Sequence, residues 1–283
     1  MKIVWEKFKK TVEHYKLVES ADRVLLAVSG GPDSVCLLHL FERLKRVLLK
    51  DIKLYIAYID HGLRPRDVRR EKNLIIKYGD RFNIPVKIEK IKIPKRTKQG
   101  IEATARKLRY KALLKIAGLY KCNKLATGHN LNDQAETVIL NLVRSRSEEG
   151  ITGMPLIRPL DANGRVKLIR PLMKILREEI MGYIKGQNLK YSIDVTNTSE
   201  KFTRNYIRRK IMPLLKKLNP QICEHLDNLA RWSSWQKSLA LDLSKNLKYN
   251  KHSQYKILRS NLMDFTERED YSYLIKKIAD GEM

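Results

Sequence analysis

Before residue 130 the sequence alternates four short apolar runs with three long amphipathic segments, and few folds accommodate that order. The runs are RVLLAVS from Arg23, KLYIAYID from Lys53, VKIEKIKI from Val86 and KLATGH from Lys124. Between them lie DSVCLLHLFERLKRVLL, PRDVRREKNLIIKYGDRF and EATARKLRYKALLKIAGLY, each long enough for a crossover helix. Parallel strands need such crossovers, so an α/β fold with a helix-covered parallel sheet is expected. Ligands of such sheets bind beyond the carboxyl ends of the strands. The segments that follow the strands, SGGPDS, DHGLR and TGHNLNDQAET, are therefore the first candidates for function.

The stretch LVRSRSEEGITGMPLIRPLDANGRVKLIRPL, residues 142–172, has weak periodicity and reads as a substrate-facing loop with short strands. Helical pattern returns from Lys174, in KILREEIMGYIKGQ and again in RNYIRRKIMPLLKKL. Pro220 marks a boundary or a helix start. The expected division is a catalytic domain over residues 1–218 and a small, mainly helical domain over 219–283.

Charge narrows the class of partner. Lysine and arginine number 58 against 31 acids, a formal net charge of +27, which suits a polyanion such as nucleic acid. Cys36, Cys122 and Cys223 lie far apart without a CxxC pair, so no disulfide framework and no cysteine-rich metal site is indicated. A reducing, cytoplasmic setting fits. The N-terminal MKIVWEKFKKTVEHYKLV is charged throughout, and no run approaches the roughly 18 apolar residues of a membrane span. A protein without membrane association or removable signal is expected.

The turn VLLAVSGGPDS carries the most specific chemistry. Glycines between a strand and a helix let backbone N–H groups approach a phosphate, and the helix N-terminus adds partial positive charge. Gly30 and Gly31 fit that role, Ser29 and Ser34 supply hydroxyl donors, and Asp33 either holds a magnesium ion or caps the helix. The turn lacks GK[ST] and GxGxxG, so neither the P-loop with its phosphate-binding lysine nor the dinucleotide fingerprint applies. SGGPDS instead resembles the PP-loop of the ATP pyrophosphatases, which cut ATP between its α- and β-phosphates.

Together with YIDHGLRP, ATARKLRY, ATGHNLNDQAET and DVTNTSEKFTRNYIRRKIMPLL, the turn resembles the tRNA(Ile)-lysidine synthetase family over about residues 22–218. The resemblance implies a Rossmann-like PP-loop domain. It also implies ATP and magnesium as cosubstrate and cofactor, with free L-lysine and a tRNA(Ile) bearing the CAU anticodon as substrates. The implied reaction adenylates the C2 oxygen of the wobble cytidine. The lysine ε-amine then displaces AMP to form lysidine. Homodimers are common in the family.

By that resemblance ATP is bound by Ser29, Gly30, Gly31, Pro32, Asp33, Ser34, His61 and Arg109. Catalysis falls to Asp33, Arg109, Asp133, Glu136 and Arg204. Lysine or tRNA is held by His129, Asp133, Glu136, Arg144, Arg204, Arg208, Arg209 and Lys210. Asp133 and Glu136 stand three apart and share a helix face, suited to an ammonium group or magnesium. Asn130 and Asp133 equally suit a helix cap. Arg106 and Arg109 also share a face, where a guanidinium neutralises charge on leaving pyrophosphate.

The amine poses a problem of its own, since with a pKa of about 10.4 only one ε-amine in a few thousand is neutral at pH 7. Asp133, Glu136 and His129 are all candidates to accept its proton. His61 and His129 follow strands and fit hydrogen bonding to nucleotide or loop backbone better than a zinc site, which lacks cysteine partners. In RNYIRRKIMPLLKK, Arg204, Arg208, Arg209, Lys210, Lys216 and Lys217 occur with no acid among them, a run suited to phosphate contacts. About six such contacts imply a log–log salt slope of about −4 to −5.

The chain departs from the family in two places. Asn132 and Asp133 stand where two adjacent acids are usual, so only the second is kept, and RSRSEEGITGMP replaces a glycine-richer loop, with Arg144, Gly150, Gly153 and Met154 corresponding. Two other readings remain: a tRNA-thiolating PP-loop enzyme, which would want paired cysteines, a metal cluster or a supplied sulfide, and a non-catalytic basic RNA-binding protein.

Overall fold

The computed structural model describes residues 2–60, 65–94, 100–144, 151–192 and 203–246. His61, the loop 145–149 and the DVTNTSEKF block therefore lie outside the described residues. A first compact unit runs through Ala230 and a second begins at Arg231.

Six strands form one sheet: β1 (Arg23–Ala27), β2 (Lys53–Asp60), β3 (Val86–Lys90), β4 (Lys124–Thr127), β5 (Ile157–Pro159) and β6 (Lys167–Ile169). Their spatial order is β3-β2-β1-β4-β6-β5. All neighbours pair in parallel except β5 with β6, which run antiparallel at the edge, Ile157 opposite Ile169. The antiparallel edge comes from the weakly periodic stretch, where the short connection from Leu160 to Val166 permits only a hairpin. Chain order reverses between β1 and β4, and the crevice at such a switch point is where ligands bind.

Strand periodicity places the core. Val24 and Leu26 of β1 face one layer while Leu25 between them faces the other. The first layer is covered by α1 (Lys2–His14), α2 (Pro32–Val47), α3 (Pro65–Phe82) and α6 (Arg177–Gly186). Phe8, Phe41, Leu40, Ile180 and Tyr183 fill it. The second layer is covered by α4 (Ile101–Leu119) through Leu113, Ile116 and Ala117. These residues at i, i+3 and i+4 make the buried stripe that the sequence pattern predicts.

A third cluster joins α5 (Leu131–Arg144) to the helices that follow the sheet: α7 (Thr203–Tyr206), a π-helical turn (Ile207–Ile211), α8 (Met212–Leu218) and α9 (Ile222–Asn246). Ala135 and Val138 of α5 pack with Ile207, Met212, Cys223 and Leu226. Asp227 of α9 pairs with Lys174 and accepts from the Gln134 amide. In the second unit, the Trp232 and Trp235 rings lie 4.8 Å apart.

Candidate active site

The strand β1 ends at Ala27, and the chain then needs a sharp turn to start α2. Gly30 supplies it with φ +86°, a conformation that L side chains resist. The Gly30 carbonyl accepts from the Ser192 N–H at 2.8 Å. Gly31 stands before the helix, Pro32 opens it and Asp33 sits in the first turn. No side chain caps α2, so its first N–H groups remain available to an anion. Ser34 Oγ accepts from the Ser29 N–H at 3.2 Å and donates to the Gly31 carbonyl at 2.9 Å, locking the turn shut.

Asp33 does not serve as the cap. Its Oδ1 accepts from the Asn130 amide at 2.9 Å, and its Oδ2 lies 3.4 Å from Arg177 Nη1. Burial pushes the Asp33 carboxyl above its ordinary range, with Arg177 opposing. The turn after β4 reaches it by backbone contact: a Cβ on Gly128 would stand 3.0 Å from the Asp33 carbonyl carbon. Glycine at 128 is what lets the two turns touch.

A cavity of about 240 Å³ lies at the switch point. Ser29, Gly31, Asp33 and Ser34 form one wall, and Gly128 and His129 another. Ala57, Ile59 and Leu113 make it apolar on the side away from the turn, with Arg109 and Tyr110 of α4 completing it. That combination suits an adenine ring against the apolar wall and phosphates against the glycine turn. Arg109 is half-buried, and burial draws its basicity down. His129 shares a hydrogen bond with Thr127, Nδ1 to Oγ1 at 2.8 Å. Burial holds the imidazole far below its ordinary pKa, so it is neutral at pH 7 and a poor proton acceptor.

The start of α5 carries the second half of the site. Asn130 and Asp133 cap reciprocally: Asp133 Oδ2 accepts from the Asn130 N–H at 3.1 Å, and Asn130 Oδ1 from the Asp133 N–H at 3.0 Å. The cap and the shared carboxylate face exist together. Asp133 Oδ1 lies 3.2 Å from Arg204 Nη2 and 3.0 Å from Arg208 Nη2. Glu136, 2% exposed, is bound by Arg208 at 2.6 and 2.8 Å and by Arg204 Nε at 3.2 Å. One buried and one partly buried carboxylate are thus matched by two guanidiniums, as burial of charge requires.

This arrangement redistributes the basic run. Arg204 and Arg208 turn inward onto carboxylates, and Lys216 pairs with Glu178 at 2.6 Å. Arg209 and Lys210 are exposed, and Arg209 lines a second cavity of about 410 Å³ that reaches Glu136. Arg144 is exposed in the last turn of α5, roughly 16 Å along the helix from Asp133, and does not join the cluster. Asn132 accepts from the first N–H of α6, that of Arg177, at 2.9 Å and donates to Glu178. An aspartate would accept equally well but would repel Glu178. Sequence reading missed Arg177 and Arg170; for Arg170 a signal existed, because LIRPL occurs at both 156–160 and 168–172.

A family model described as the PP-loop domain matches residues 2–215. The chain is 40% identical over 218 residues to the tRNA(Ile)-lysidine synthase of Thermosipho africanus, covering 76% of this chain and 49% of that protein. It is 36% identical over 217 residues to the tRNA(Ile)-lysidine synthase of Clostridioides difficile, covering 76% and 45%. It spans about half the length of these curated relatives. Among solved structures, the U34-tRNA thiolase NcsA from Methanococcus maripaludis is similar in fold, with a TM-score of 0.68 at 21% identity over 82% of this chain and 78% of that one. A lysine-free glycine turn at the switch point and a family match across three quarters of the sequence lead to one assignment: the chain belongs to the PP-loop domain family.

Proposed function

We propose that this chain ligates free L-lysine to C2 of the wobble cytidine of a tRNA(Ile) with a CAU anticodon, consuming ATP and releasing AMP and pyrophosphate. The observation that carries the reading is Asn130, whose side chain donates to Asp33 in the glycine turn while its backbone N–H donates to Asp133 on α5. One residue couples the nucleotide cavity to the carboxylate pair, so the activated cytidine and the incoming amine meet at a shared edge. The names of the relatives point to the same activity.

In this mechanism the Gly30, Gly31 and Ser34 N–H groups and the Ser29 hydroxyl hold the phosphates, while the Ser34 hydroxyl stays committed to the Gly31 carbonyl and keeps the turn in shape. Arg109 offsets charge on the departing pyrophosphate, where a preorganised guanidinium acts most strongly. Asp33 is the one carboxylate of the turn, and among the described residues its Oδ2 has a single long contact, to Arg177. It would hold a magnesium ion, which would screen the phosphate charge.

Asp133 and Glu136 orient the lysine amine. Because Arg204 and Arg208 already balance their charge, the site carries no net negative charge to favour an ammonium. The guanidiniums instead favour the neutral, nucleophilic amine, as a neighbouring cation does for other lysine nucleophiles. Proton acceptance then falls to the carboxylates or to water rather than to the neutral His129.

The thiolation reading loses ground. All three cysteines are buried and free, and burial raises the thiols of Cys122 and Cys223 to about 11, leaving them protonated at pH 7. The test is incubation with ATP, magnesium, labelled lysine and the tRNA. Label is expected in the RNA with AMP and pyrophosphate in solution; ADP as product, or an unlabelled tRNA, would overturn the reading.

A further inference from the structure

Four arginines gather at Tyr110 from three separate elements. Arg106 and Arg109 come from α4, and their guanidinium carbons lie 5.2 and 5.5 Å from the Tyr110 ring centroid. Arg158 of β5 lies 5.8 Å from the same centroid. Arg170 follows directly after β6, the neighbour of β4, so it stands at the carboxyl edge of the sheet beside Gly128 and His129. Its charge acts on His129, as does that of Arg106.

Arg170 is the informative member. It is 2% exposed, its Nη1 donates to the Pro155 carbonyl, and its Nε is buried without a hydrogen-bond partner. Among the described side chains no carboxylate pairs with Arg106, Arg109, Arg158 or Arg170. Buried charges are ordinarily paired, because desolvation without a partner is costly. Here burial lowers the Arg170 pKa to about 10, and Arg158 and Arg106 push the same way, with the Tyr110 oxygen opposing. The ring face offers Arg106, Arg109 and Arg158 a weak cation–π contact. It supplies no counter-charge.

We propose that these four arginines form an oxyanion site that takes a phosphate group of a substrate. Guanidinium forks match phosphate oxygens geometrically, and an anion seated among them relieves the repulsion between neighbours, the buried Arg170 acting on it through its charge. Arg109 belongs to both this site and the nucleotide cavity, so the bound phosphate lies at the cavity rim. Two sources share this chemistry: a backbone phosphodiester next to the reacting base, and the pyrophosphate portion of ATP. The RNA source rests on the proposed function, whereas the ATP source rests only on the cavity.

The experiment measures binding of three probes, a non-hydrolysable ATP analogue, inorganic pyrophosphate and an anticodon stem-loop RNA, to the full chain and its Arg158→Ala and Arg170→Lys variants. Loss of one charge-assisted contact is expected to weaken the relevant probe about tenfold in Arg158→Ala. If the probe is RNA, the salt slope should also fall by about one. Arg170→Lys keeps the charge without the fork and should weaken the same probe. Weaker RNA binding alone assigns the backbone phosphate; weaker analogue or pyrophosphate binding assigns the ATP tail. Unchanged affinity for all three probes in both variants, with unchanged melting temperatures, overturns the site. Failure of the unmutated protein to incorporate labelled lysine sinks the proposed function instead, and leaves the ATP and pyrophosphate arms to decide this inference.

Discussion

Two arginine clusters flank the junction of β4 and α5, and they are built on opposite electrostatic principles. At one, Arg204 and Arg208 face Asp133 and Glu136, charge for charge, with five ion-pair or hydrogen-bond distances between 2.6 and 3.2 Å. At the other, Arg106, Arg109, Arg158 and Arg170 surround Tyr110 with no acid among the described side chains. The first cluster is balanced within the protein. The second is electrostatically unfinished, and an anion finishes it. Similar residues therefore carry different work, decided by whether a carboxylate stands within reach.

The contrast breaks most sharply at Glu136. Glu136→Gln leaves two guanidiniums sharing Asp133 as their one carboxylate, and removing one partner of a buried pair costs about 3–5 kcal/mol. A large fall in melting temperature is expected, with loss of lysine incorporation; an unchanged melting curve would mean the balanced cluster contributes nothing to the fold. Arg170→Met makes the opposite substitution. It removes a buried charge that lacks a carboxylate, so stability at low phosphate should hold or rise by about 1–2 kcal/mol. Strong destabilisation would show that Arg170 is already satisfied within the chain.

At Arg208 the expected effect on turnover concerns pH. In Arg208→Gln the carboxylates regain net negative charge and favour the ammonium form of lysine. The apparent pKa governing lysine dependence should rise by about one unit, shifting turnover to more alkaline pH, while Arg208→Lys retains the wild-type profile. A uniform loss of rate with an unshifted profile would reduce Arg208 to a packing role. The smallest change in stability is expected at Asp33. Its carboxyl is raised by burial, so its charged form opposes folding once the pH exceeds the ordinary value of 3.8. Asp33→Asn should then gain about 0.5–2 kcal/mol at pH 7. That gain should vanish below about pH 4, where the carboxyl is protonated in both states. Turnover should nevertheless fall by about 10²–10³-fold.

The strands, the crossover helices and the glycine turn were legible from local pattern. Each depends on spacings of two to four residues, and the observed elements fall within a few residues of the expected runs. The antiparallel edge was legible only as short strands. Direction there is set by the hairpin between Leu160 and Val166, which leaves little periodic signal. The basic run shows the limit clearly. RNYIRRK reads as a phosphate-binding surface because it contains no acid, yet Arg208 meets Glu136 from 72 residues away.

Sequence by itself determined a turn able to bind phosphate, because glycines between a strand and a helix free backbone N–H groups, and its resemblance to the PP-loop pointed to ATP. It also determined that Asp133 and Glu136 share a helix face, since helical geometry sets that spacing. Only the tertiary structure decided their partners. Which arginine reaches a carboxylate and which is left at Tyr110 depends on strand order and helix packing, and the charge of a residue alone says nothing of what the fold brings opposite it.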